Sequence, residues 1–417
     1  MRLPCRIGLL TTLLCLVACG GSGGASGAGG PMPNITIAGK VVDGVLRPIA
    51  GAAVKVGSQN AVSDSNGQFS ISNVTPPYDL AVTTMSPTKV GVLFQGLRRT
   101  DPTVLVPGVH AFQNSGAVSG NVTAVHPLGA LSEKTEVAWG SPEIPVLPPT
   151  TDVNTDPYAL DLTWVGPSST TGTLHALQWQ LDAKHLPSSY TGYGSTPGVT
   201  VTNSGTTHAD VAMSAPSAST IAGSITVPAS FTIASKSFAI AFPDRAGIAL
   251  GIDSSPSTSF SYPFPAVSGG TATLRAEASL SGDSSVIQLF GIAPGTTNLA
   301  LNLPTPSTAI LPPDMAANVG TNTDFTWTSM RGTVYVLQIQ GPSGAPSYYV
   351  ITDATTARIP DLADQGLGLP AAGQYSWNVL AVGPWANVDE IAGPTPNQPP
   401  GNTKFEGLTA NRKFTTP

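Results

Sequence analysis

Apolar and polar residues alternate along most of this chain in short stretches. Stretches such as 35–42, 78–82 and 375–381 place hydrophobic side chains at nearly every second position. A period of two puts alternate side chains on opposite faces of a β-strand. After residue 19 no long stretch has the 3.6-residue period of an amphipathic helix. The pattern predicts an all-β protein of tandem antiparallel β-sandwich domains.

A continuous apolar run at residues 7–17 precedes the alternating stretches. Its 11 residues follow Arg2 and Arg6 and are too few to cross a bilayer as a helix, which takes about 20 residues. A short apolar run after basic residues is typical of a signal peptide. The run ends in Leu-Val-Ala-Cys at positions 16–19, which resembles the lipobox of bacterial lipoproteins.

The lipobox resemblance implies a lipid anchor. In that family the chain is cleaved between the residues that are Ala18 and Cys19 here, and Cys19 then carries the covalent lipid. Stable anchoring takes more than one acyl chain, because a single chain binds a membrane only marginally. We expect a cleaved signal peptide at 1–18, a flexible Gly/Ser-rich tether at 19–33 and a membrane as partner. A secretory signal with a chance cysteine is the alternative.

Two neighbouring features refine this prediction. Gly20 is not the aspartate that keeps many enterobacterial lipoproteins in the inner membrane, so the resemblance favours the outer membrane of the cell envelope. The three cysteines are Cys5, Cys15 and Cys19, and the first two would leave with the signal peptide. The mature chain would then have no intramolecular disulfide, cysteine nucleophile or cysteine-ligated metal.

Residues 34–108 predict one small β-sandwich. Strands are expected at 35–42, 52–56 and 78–82. Residues 62–71 are expected to form a hairpin with Asn66-Gly67 in its turn, because both positions tolerate positive φ. Asp64 is expected to stabilise this turn rather than bind a metal.

The same segment resembles the carboxypeptidase regulatory-like domain. The resemblance rests on Gly-Lys-Val-Val-Asp at 39–43, Pro-Ile-Ala-Gly-Ala-Ala-Val at 48–54 and Asp-Ser-Asn-Gly-Gln-Phe at 64–69. It implies a transthyretin-like β-sandwich without peptidase chemistry of its own.

Residues 109–216 and 217–304 contain an internal repeat. Val-Ser-Gly-Asn-Val-Thr at 118–123 reappears as Ile-Ala-Gly-Ser-Ile-Thr at 221–226, and Gly-Thr-Leu-His-Ala at 172–176 as Ala-Thr-Leu-Arg-Ala at 272–276. A period of about 100 residues is too long for a solenoid. The repeat predicts two tandem β-sandwiches, and neither resembles a named family.

Residues 305–417 resemble a fibronectin type III-like domain. Strands are expected at 324–327, 335–340, 348–352 and 375–381, with 405–414 closing the sheet. The resemblance rests on the Leu-Pro-Ala-Ala-Gly approach at 369–373 and the alternating aromatic strand that follows it.

Composition and charge narrow the partners. Only 10% of residues are charged, and the net charge of −6 becomes more negative when the two signal-peptide arginines are removed. That balance argues against nucleic acid as a partner.

Catalytic chemistry is not predicted anywhere. The five histidines show no metal-binding or catalytic spacing, and no serine sits in a nucleophile context. His175 alternates within a strand and has Arg275 as its repeat counterpart, so we expect it to face solvent.

The best metal candidate is Asp152-Val-Asn154-Thr-Asp156. Its alternating oxygen ligands resemble the start of a calcium loop, but Pro157 replaces the required glycine and Thr163 the closing glutamate. A solvated turn is expected. A Ca²⁺ site completed by other loops is the alternative, and no other cofactor is expected.

Aromatic residues provide the candidate ligand contacts. Tyr190, Tyr193 and Trp385 lie in loop-like contexts, where flat rings could stack on sugars. The other tryptophans lie in strand-like stretches and are expected in the core, namely Trp139, Trp164, Trp179, Trp327 and Trp377.

Three functional hypotheses follow. The first is a non-catalytic surface lipoprotein with a structural, adhesive or scaffolding role and other envelope proteins as partners. The second is a glycan-binding lipoprotein that uses the loop aromatics. The third is an enzyme accessory protein.

Overall fold

Strands account for nearly all regular structure of this chain. The computed structural model describes residues 33–108, 113–142, 150–396 and 399–417. In this described part 56% of residues are in strands and 2% in helix. Several separate sheets with their own apolar cores are present. The all-β prediction is confirmed. Residues 34–417 form one compact unit with no division inside it. The domain boundaries expected within this range therefore stay a prediction.

Residues 34–108 form two sheets that share one apolar core. Their strands are β1 (Ile35–Val42), β2 (Ala53–Val56), β3 (Gln59–Val62), β4 (Gln68–Val74), β5 (Tyr78–Thr84), β6 (Val90–Leu97) and β7 (Thr103–Leu105). One sheet has the order β4-β1-β7, with β7 parallel to β1. The other includes the order β3-β2-β5-β6.

The predicted hairpin at 62–71 is wrong. Strand β3 pairs with β2, whereas β4 pairs with β1 in the other sheet. The turn between them therefore crosses from one sheet to the other. Its local chemistry is as expected, since Asp64 Oδ1 accepts hydrogen bonds of 2.8 Å from the backbone N–H groups of Asn66 and Gln68.

Residues 113–216 repeat this arrangement. Their strands are β8 (Asn114–Gly120), β9 (Val122–Thr123), β10 (Glu133–Gly140), β11 (Thr150–Asp152), β12 (Tyr158–Trp164), β13 (Ser169–Leu181), β14 (Pro187–Thr202), β15 (Thr206–His208) and β16 (Val211–Ala212). The sheets have the orders β12-β8-β15 and β11-β10-β13-β14, and β15 is parallel to β8.

Residues 217–304 repeat it again. Their strands are β17 (Ser217–Thr226), β18 (Thr232–Ala241), β19 (Gly247–Asp253), β20 (Ser259–Ala266), β21 (Thr271–Leu280), β22 (Asp283–Ile292) and β23 (Leu299–Asn302). The orders are β20-β17-β23 and β19-β18-β21-β22, with β23 parallel to β17. Three successive segments thus share one seven-strand connectivity, whereas the sequence analysis found the repeat only in the second and third.

A glycine at the same place in each segment accounts for part of this likeness. Gly39, Gly120 and Gly223 lie in the central strands β1, β8 and β17, beside the parallel strand. A Cβ at these positions would lie 2.7, 1.9 and 2.2 Å from the backbone oxygens of Pro102, Ala209 and Leu299, respectively. Only glycine lets the parallel strand approach this closely.

Residues 305–417 form the fourth segment. Its strands are β24 (Ala309–Leu311), β25 (Phe325–Trp327), β26 (Val334–Gln340), β27 (Ser347–Thr352), β28 (Thr356–Ala357), β29 (Gln374–Gly383), β30 (Thr403–Leu408) and β31 (Arg412–Thr415), with a short 3₁₀ helix at Ala363–Gln365 and helix α1 at Val388–Ile391. The single closing strand expected at 405–414 is two strands, β30 and β31, and both pair with β29.

Backbone pairing joins three of the four segments into one sheet of 13 strands among the described residues. Strand β27 runs parallel to β6, with Ser347–Ile351 opposite Val90–Phe94. Strand β22 runs antiparallel to β30, with Ser284–Leu289 opposite Thr403–Leu408. The fourth segment therefore lies between the first and the third.

Side chains reinforce the contact between the first and fourth segments. Trp385, Val388 and Ile391 belong to the same apolar core as the first segment. Asp389 Oδ1 accepts the backbone N–H groups of Arg98 and Arg99 at 2.8 and 3.0 Å. The proline-rich loop between β29 and β30 is thus a docking element.

A buried charged cluster ties the two sheets of the third segment together. Lys236 is fully buried in β18, and its ammonium group lies 3.1 Å from Asp253 Oδ2. The hydroxyl of Tyr262, in the facing sheet, donates to the same oxygen at 2.8 Å. Burial raises the pKa of Asp253, but hydrogen bonds from Ser255, Tyr262 and Lys236 outweigh it and lower the pKa to about 2.

We predict that Gly120→Ala destabilises the protein. Its Cβ would overlap the backbone oxygen of Ala209. Ala209 is held in place because its backbone N–H donates to the Ser119 oxygen of β8 at 2.9 Å, so the free energy of unfolding should fall by about 3 kcal/mol. Gly320→Ala is the control, because the nearest atom to its Cβ would be 3.9 Å away and a change within about 0.5 kcal/mol is expected. Urea denaturation measures both, and equal effects would contradict the assignment.

Asp253→Asn should give a pH-dependent loss of stability. At pH 7 the variant leaves Lys236 buried without its carboxylate partner, which costs about 3 kcal/mol. The folded-state pKa of Asp253 lies below the unfolded value of 3.8, so the wild type loses this contribution as the pH falls from about 4 to 2. The gap between the two proteins should narrow by up to about 2 kcal/mol in that window. Asp161→Asn, at an exposed position, is the control, and a gap for Asp253→Asn that stays constant from pH 5 to 2 would refute the account.

Candidate functional site

The predicted anchor lies outside the described residues. This holds for the signal peptide at 1–18, for Ala18 and Cys19, and for the tether up to residue 32. Within the described residues no helix is long and apolar enough to span a membrane. Lipidation of Cys19 therefore stays a prediction.

The calcium candidates have separate partners in the structure. Asp152 ends β11, and its carboxylate lies 3.1 Å from the Lys134 ammonium. Asp156 Oδ1 accepts the backbone N–H of Val122 at 2.9 Å. Among the described residues no group of three or more His, Cys, Asp or Glu side chains is placed to hold a metal ion, and Ca²⁺ binding by Asp152, Asn154 and Asp156 stays untested.

The predicted surroundings of the three candidate aromatics are wrong. Tyr190 and Tyr193 lie within strand β14, not in a loop. Both pack against the core of the third segment, and the hydroxyl of Tyr190 is buried without a hydrogen-bond partner among the described residues. Trp385 is only 3% exposed. Tyr190 and Tyr193 are half-buried, and sugar contact by the three residues stays a prediction.

The expectation for the remaining tryptophans is confirmed. All five are at most 2% exposed, namely Trp139, Trp164, Trp179, Trp327 and Trp377.

The expectation that His175 faces solvent is wrong. It is 6% exposed, because the side of β13 that carries it is covered by the third segment. Its Nε2 lies 2.8 Å from Asp244 Oδ2, and its Nδ1 lies 3.1 Å from the Tyr193 hydroxyl. The ring of Phe242 stacks on the imidazole with 3.9 Å between centroids.

This Tyr193–His175–Asp244 relay contains the histidine and carboxylate of a catalytic triad. Its hydrogen bonds, however, join the second segment to the third. Burial raises the pKa of the Tyr193 hydroxyl, which leaves it a poor nucleophile near neutral pH. Burial also raises the pKa of Asp244, but hydrogen bonds from His175 and the Ala246 backbone outweigh it, so the pKa is lowered. The charged carboxylate then holds the histidine of one segment to the loop of the next.

A second cluster lies at the ends of β26, β29 and β31, and we call it the C-terminal cleft. It is a cavity of about 340 Å³, within the range of small-molecule sites. Strand register aligns Gln340 with Ser376, and Ser376 with Lys413. Neighbouring side chains in such a row are about 5 Å apart, so an amide, a hydroxyl and an ammonium group face the cleft in sequence.

Tyr375 lies behind the C-terminal cleft, on the core face of β29. It is 3% exposed and stacks on Phe414, and its hydroxyl has no hydrogen-bond partner among the described residues. A Cβ at Gly341 would lie 2.7 and 2.9 Å from Cε1 and Cζ of this ring. Glycine at that position therefore lets the backbone pack directly against the hydroxyl end of the ring.

Sequence reasoning missed the C-terminal cleft. Gln340, Gln374 and Lys413 are common exposed residue types in alternating strands. Only the pairing of three strands that are distant in sequence brings them together.

Comparisons with known proteins give likeness of fold alone. No family model and no curated protein matches the chain. Among solved structures it is similar to the Bacillus anthracis TIE protein, with 9% identity over 65% of this chain and 50% of that one and a TM-score of 0.16. The chain thus spans half the length of that protein.

Two further structures resemble the chain at a similar level. A tetra-tandem repeat in the extending region of a large adhesion protein shows 10% identity over 92% of this chain and 99% of that one, with a TM-score of 0.18. The pilus adhesin SpaC from Lactobacillus rhamnosus GG, in its open conformation, shows 11% identity over 85% and 52%, with a TM-score of 0.15. These structures contain all-β repeat and adhesin domains, and at such scores they support no argument about this chain.

We predict opposite effects for two buried tyrosines. Tyr375→Phe removes a buried hydroxyl without a partner and should raise the free energy of unfolding by about 1 kcal/mol. Tyr348→Phe is the matched control, because its hydroxyl donates to the backbone oxygen of Leu367 at 3.1 Å, and a fall of about 1 kcal/mol is expected. Urea denaturation of both variants measures the difference. A fall for Tyr375→Phe equal to that for Tyr348→Phe would show that the Tyr375 hydroxyl is satisfied.

Proposed function

We propose that the protein is a lipid-anchored, non-catalytic scaffold or adhesive protein of the bacterial cell envelope. The observation that carries the proposal is the sheet of 13 strands that runs through three segments. A chain whose domains share backbone hydrogen bonds holds its surfaces in fixed relative positions, as a scaffold requires.

The contact between the first and fourth segments supports rigidity. The ladder between β6 and β27 is parallel and covers five residue pairs. Its flanks are closed by the shared apolar core and by the hydrogen bonds of Asp389. Separating the segments would expose both the ladder and the core, so independent motion of these domains costs several kcal/mol.

The contact between the second and third segments supports the same reading. Leu177, Trp179 and Leu186 of the second segment belong to the core of the third, and the Tyr193–His175–Asp244 relay lies beside them. The Tyr193 hydroxyl, the His175 imidazole and the Asp244 carboxylate of this relay are all bonded to one another across this contact.

The anchor completes the proposal. Lipid on Cys19 would hold the chain at a membrane, and the outer membrane is favoured by Gly20. The glycine-rich sequence of the 14 residues from 20 to 33 predicts a tether with an average reach of roughly 20 Å. The first segment, which resembles the carboxypeptidase regulatory-like module, would follow the tether. The last segment resembles a fibronectin type III-like domain, and both kinds of domain suit contacts with other envelope proteins.

The anchor is tested by metabolic labelling with a palmitate analogue in a bacterium that makes the protein. Wild type and Cys15→Ala should be labelled and sediment with membranes. Cys19→Ala should lack the label and leave the membrane fraction. Label retained on Cys19→Ala would refute the anchor.

The scaffold role is tested in a strain that lacks the protein. The wild type should restore resistance of the envelope to detergent, whereas Cys19→Ala, produced to the same level, should not. Full restoration by Cys19→Ala would contradict a function exerted at the membrane surface.

A further inference from the structure

The first and last strands of each of the first three segments lie side by side and run parallel. The first segment pairs β1 with β7, the second pairs β8 and β9 with β15 and β16, and the third pairs β17 with β23. Among the described strands one other pair, β6 with β27, is parallel. Antiparallel pairs outnumber parallel ones about two- to threefold in proteins, so the recurrence of parallel pairs at the segment ends calls for a physical reason.

The direction of these pairs decides how a segment responds to tension between its two ends. The chain enters a segment through the first strand and leaves it after the last one. In a parallel pair the start of the first strand and the end of the last strand lie at opposite ends of the ladder. Tension therefore pulls the two strands past each other along their length, and the hydrogen bonds between them share the load. In an antiparallel pair the two ends would lie together, and the bonds would open one after another.

The pairing is most extensive in the second segment. Backbone hydrogen bonds of 2.6 to 3.0 Å join residues 115–123 of the first strands to residues 204–213 of the last ones. A side chain adds a further bond, because Asp210 Oδ1 accepts the backbone N–H of Asn121 at 2.6 Å. The last strands of this segment are thus bonded to the first ones along their whole length.

The entry strand of each segment is also the central strand of its sheet. The sheet orders are β4-β1-β7, β12-β8-β15 and β20-β17-β23, so an entry strand under load is held along both edges. Its core face is buried, since Val41, Val118 and Ile221 are all 0% exposed. An entry strand can therefore slide only by breaking two ladders and leaving the core together.

We propose that the first three segments are load-bearing units, in which the parallel first and last strands form a clamp against tension along the chain. The proposal rests on the scaffold or adhesive role proposed above and names tension as the load. While β6 and β27 stay paired, the clamp of the first segment carries tension between residue 34 and the last segment. Once that pairing opens, the clamps of the second and third segments come under the same tension.

The test is single-molecule force spectroscopy of the second segment within the full-length chain, because this segment takes no part in the 13-stranded sheet. The three native cysteines are replaced by alanine, so that two introduced cysteines are the sole attachment points. The lengthwise pair, Ser115→Cys with Ser214→Cys, loads the clamp from opposite ends. The control pair, Ser115→Cys with Ser204→Cys, opens the clamp from one end, where the Ser204 N–H donates to the Ser115 oxygen at 2.6 Å. All three serines are exposed.

Both pairs enclose nearly the whole second segment, so its unfolding lengthens the chain by roughly 300 Å in either experiment. Forced unfolding follows the barrier to unfolding rather than the equilibrium stability. The lengthwise pair should therefore unfold at a force at least three times that of the control pair, although urea denaturation should give the two proteins the same free energy of unfolding.

Asp210→Ala separates the clamp from general stability. Loss of its bond to Asn121 should lower the unfolding force of the lengthwise pair by about a fifth and leave the control pair unchanged. Asp161→Ala, at an exposed position of the neighbouring strand β12, should change neither force. Equal forces for the two pairs, or an equal fall in both with Asp210→Ala, would overturn the proposal. This chain lacks Cys19, so a failure here leaves the anchor and the scaffold role to their own tests.

Discussion

The open edge of a β-strand is the constraint on which this structure depends. Each of the first three segments ends its larger sheet on an equivalent strand, namely β6, β14 and β22. An unpaired edge exposes a row of backbone donors and acceptors. Strands of the fourth segment cover two of these edges, β27 on β6 and β30 on β22. The fourth segment thus occupies a position that the first and third segments create, and the 13-stranded sheet is the consequence.

Local pattern predicted the strands but not their partners. Alternation located β1, β5 and β29 because a half-buried strand shows its period within a few residues. The partner of a strand is set by contacts far away in sequence, which explains the error at 62–71. The Asn-Gly turn there is real, yet it leads from one sheet into the other. The third copy of the repeat was visible as Ile-Ala-Gly-Lys-Val at 37–41, and the reason for its glycine appears only when the parallel strand is in place.

Contacts between segments account for the errors about burial. Alternation assigns one face of a strand to the core of its own segment and the other to solvent. In β13, Leu174 and Ala176 lie in the core of the second segment, whereas Leu177 and Trp179 lie in the core of the third. Both faces are covered, so His175 is buried where a single sandwich would expose it. Trp385 was misjudged for the same reason, because the loop that holds it docks on another segment.

The pairing of β6 with β27 also determines how a load would pass between the first and last segments. Strand β6 of the first segment is bonded to β27. Strand β27 in turn pairs with β26, which ends at Gln340 in the C-terminal cleft. A force applied at the end of β26 would therefore reach the first segment across two backbone ladders, without passing through the second and third segments.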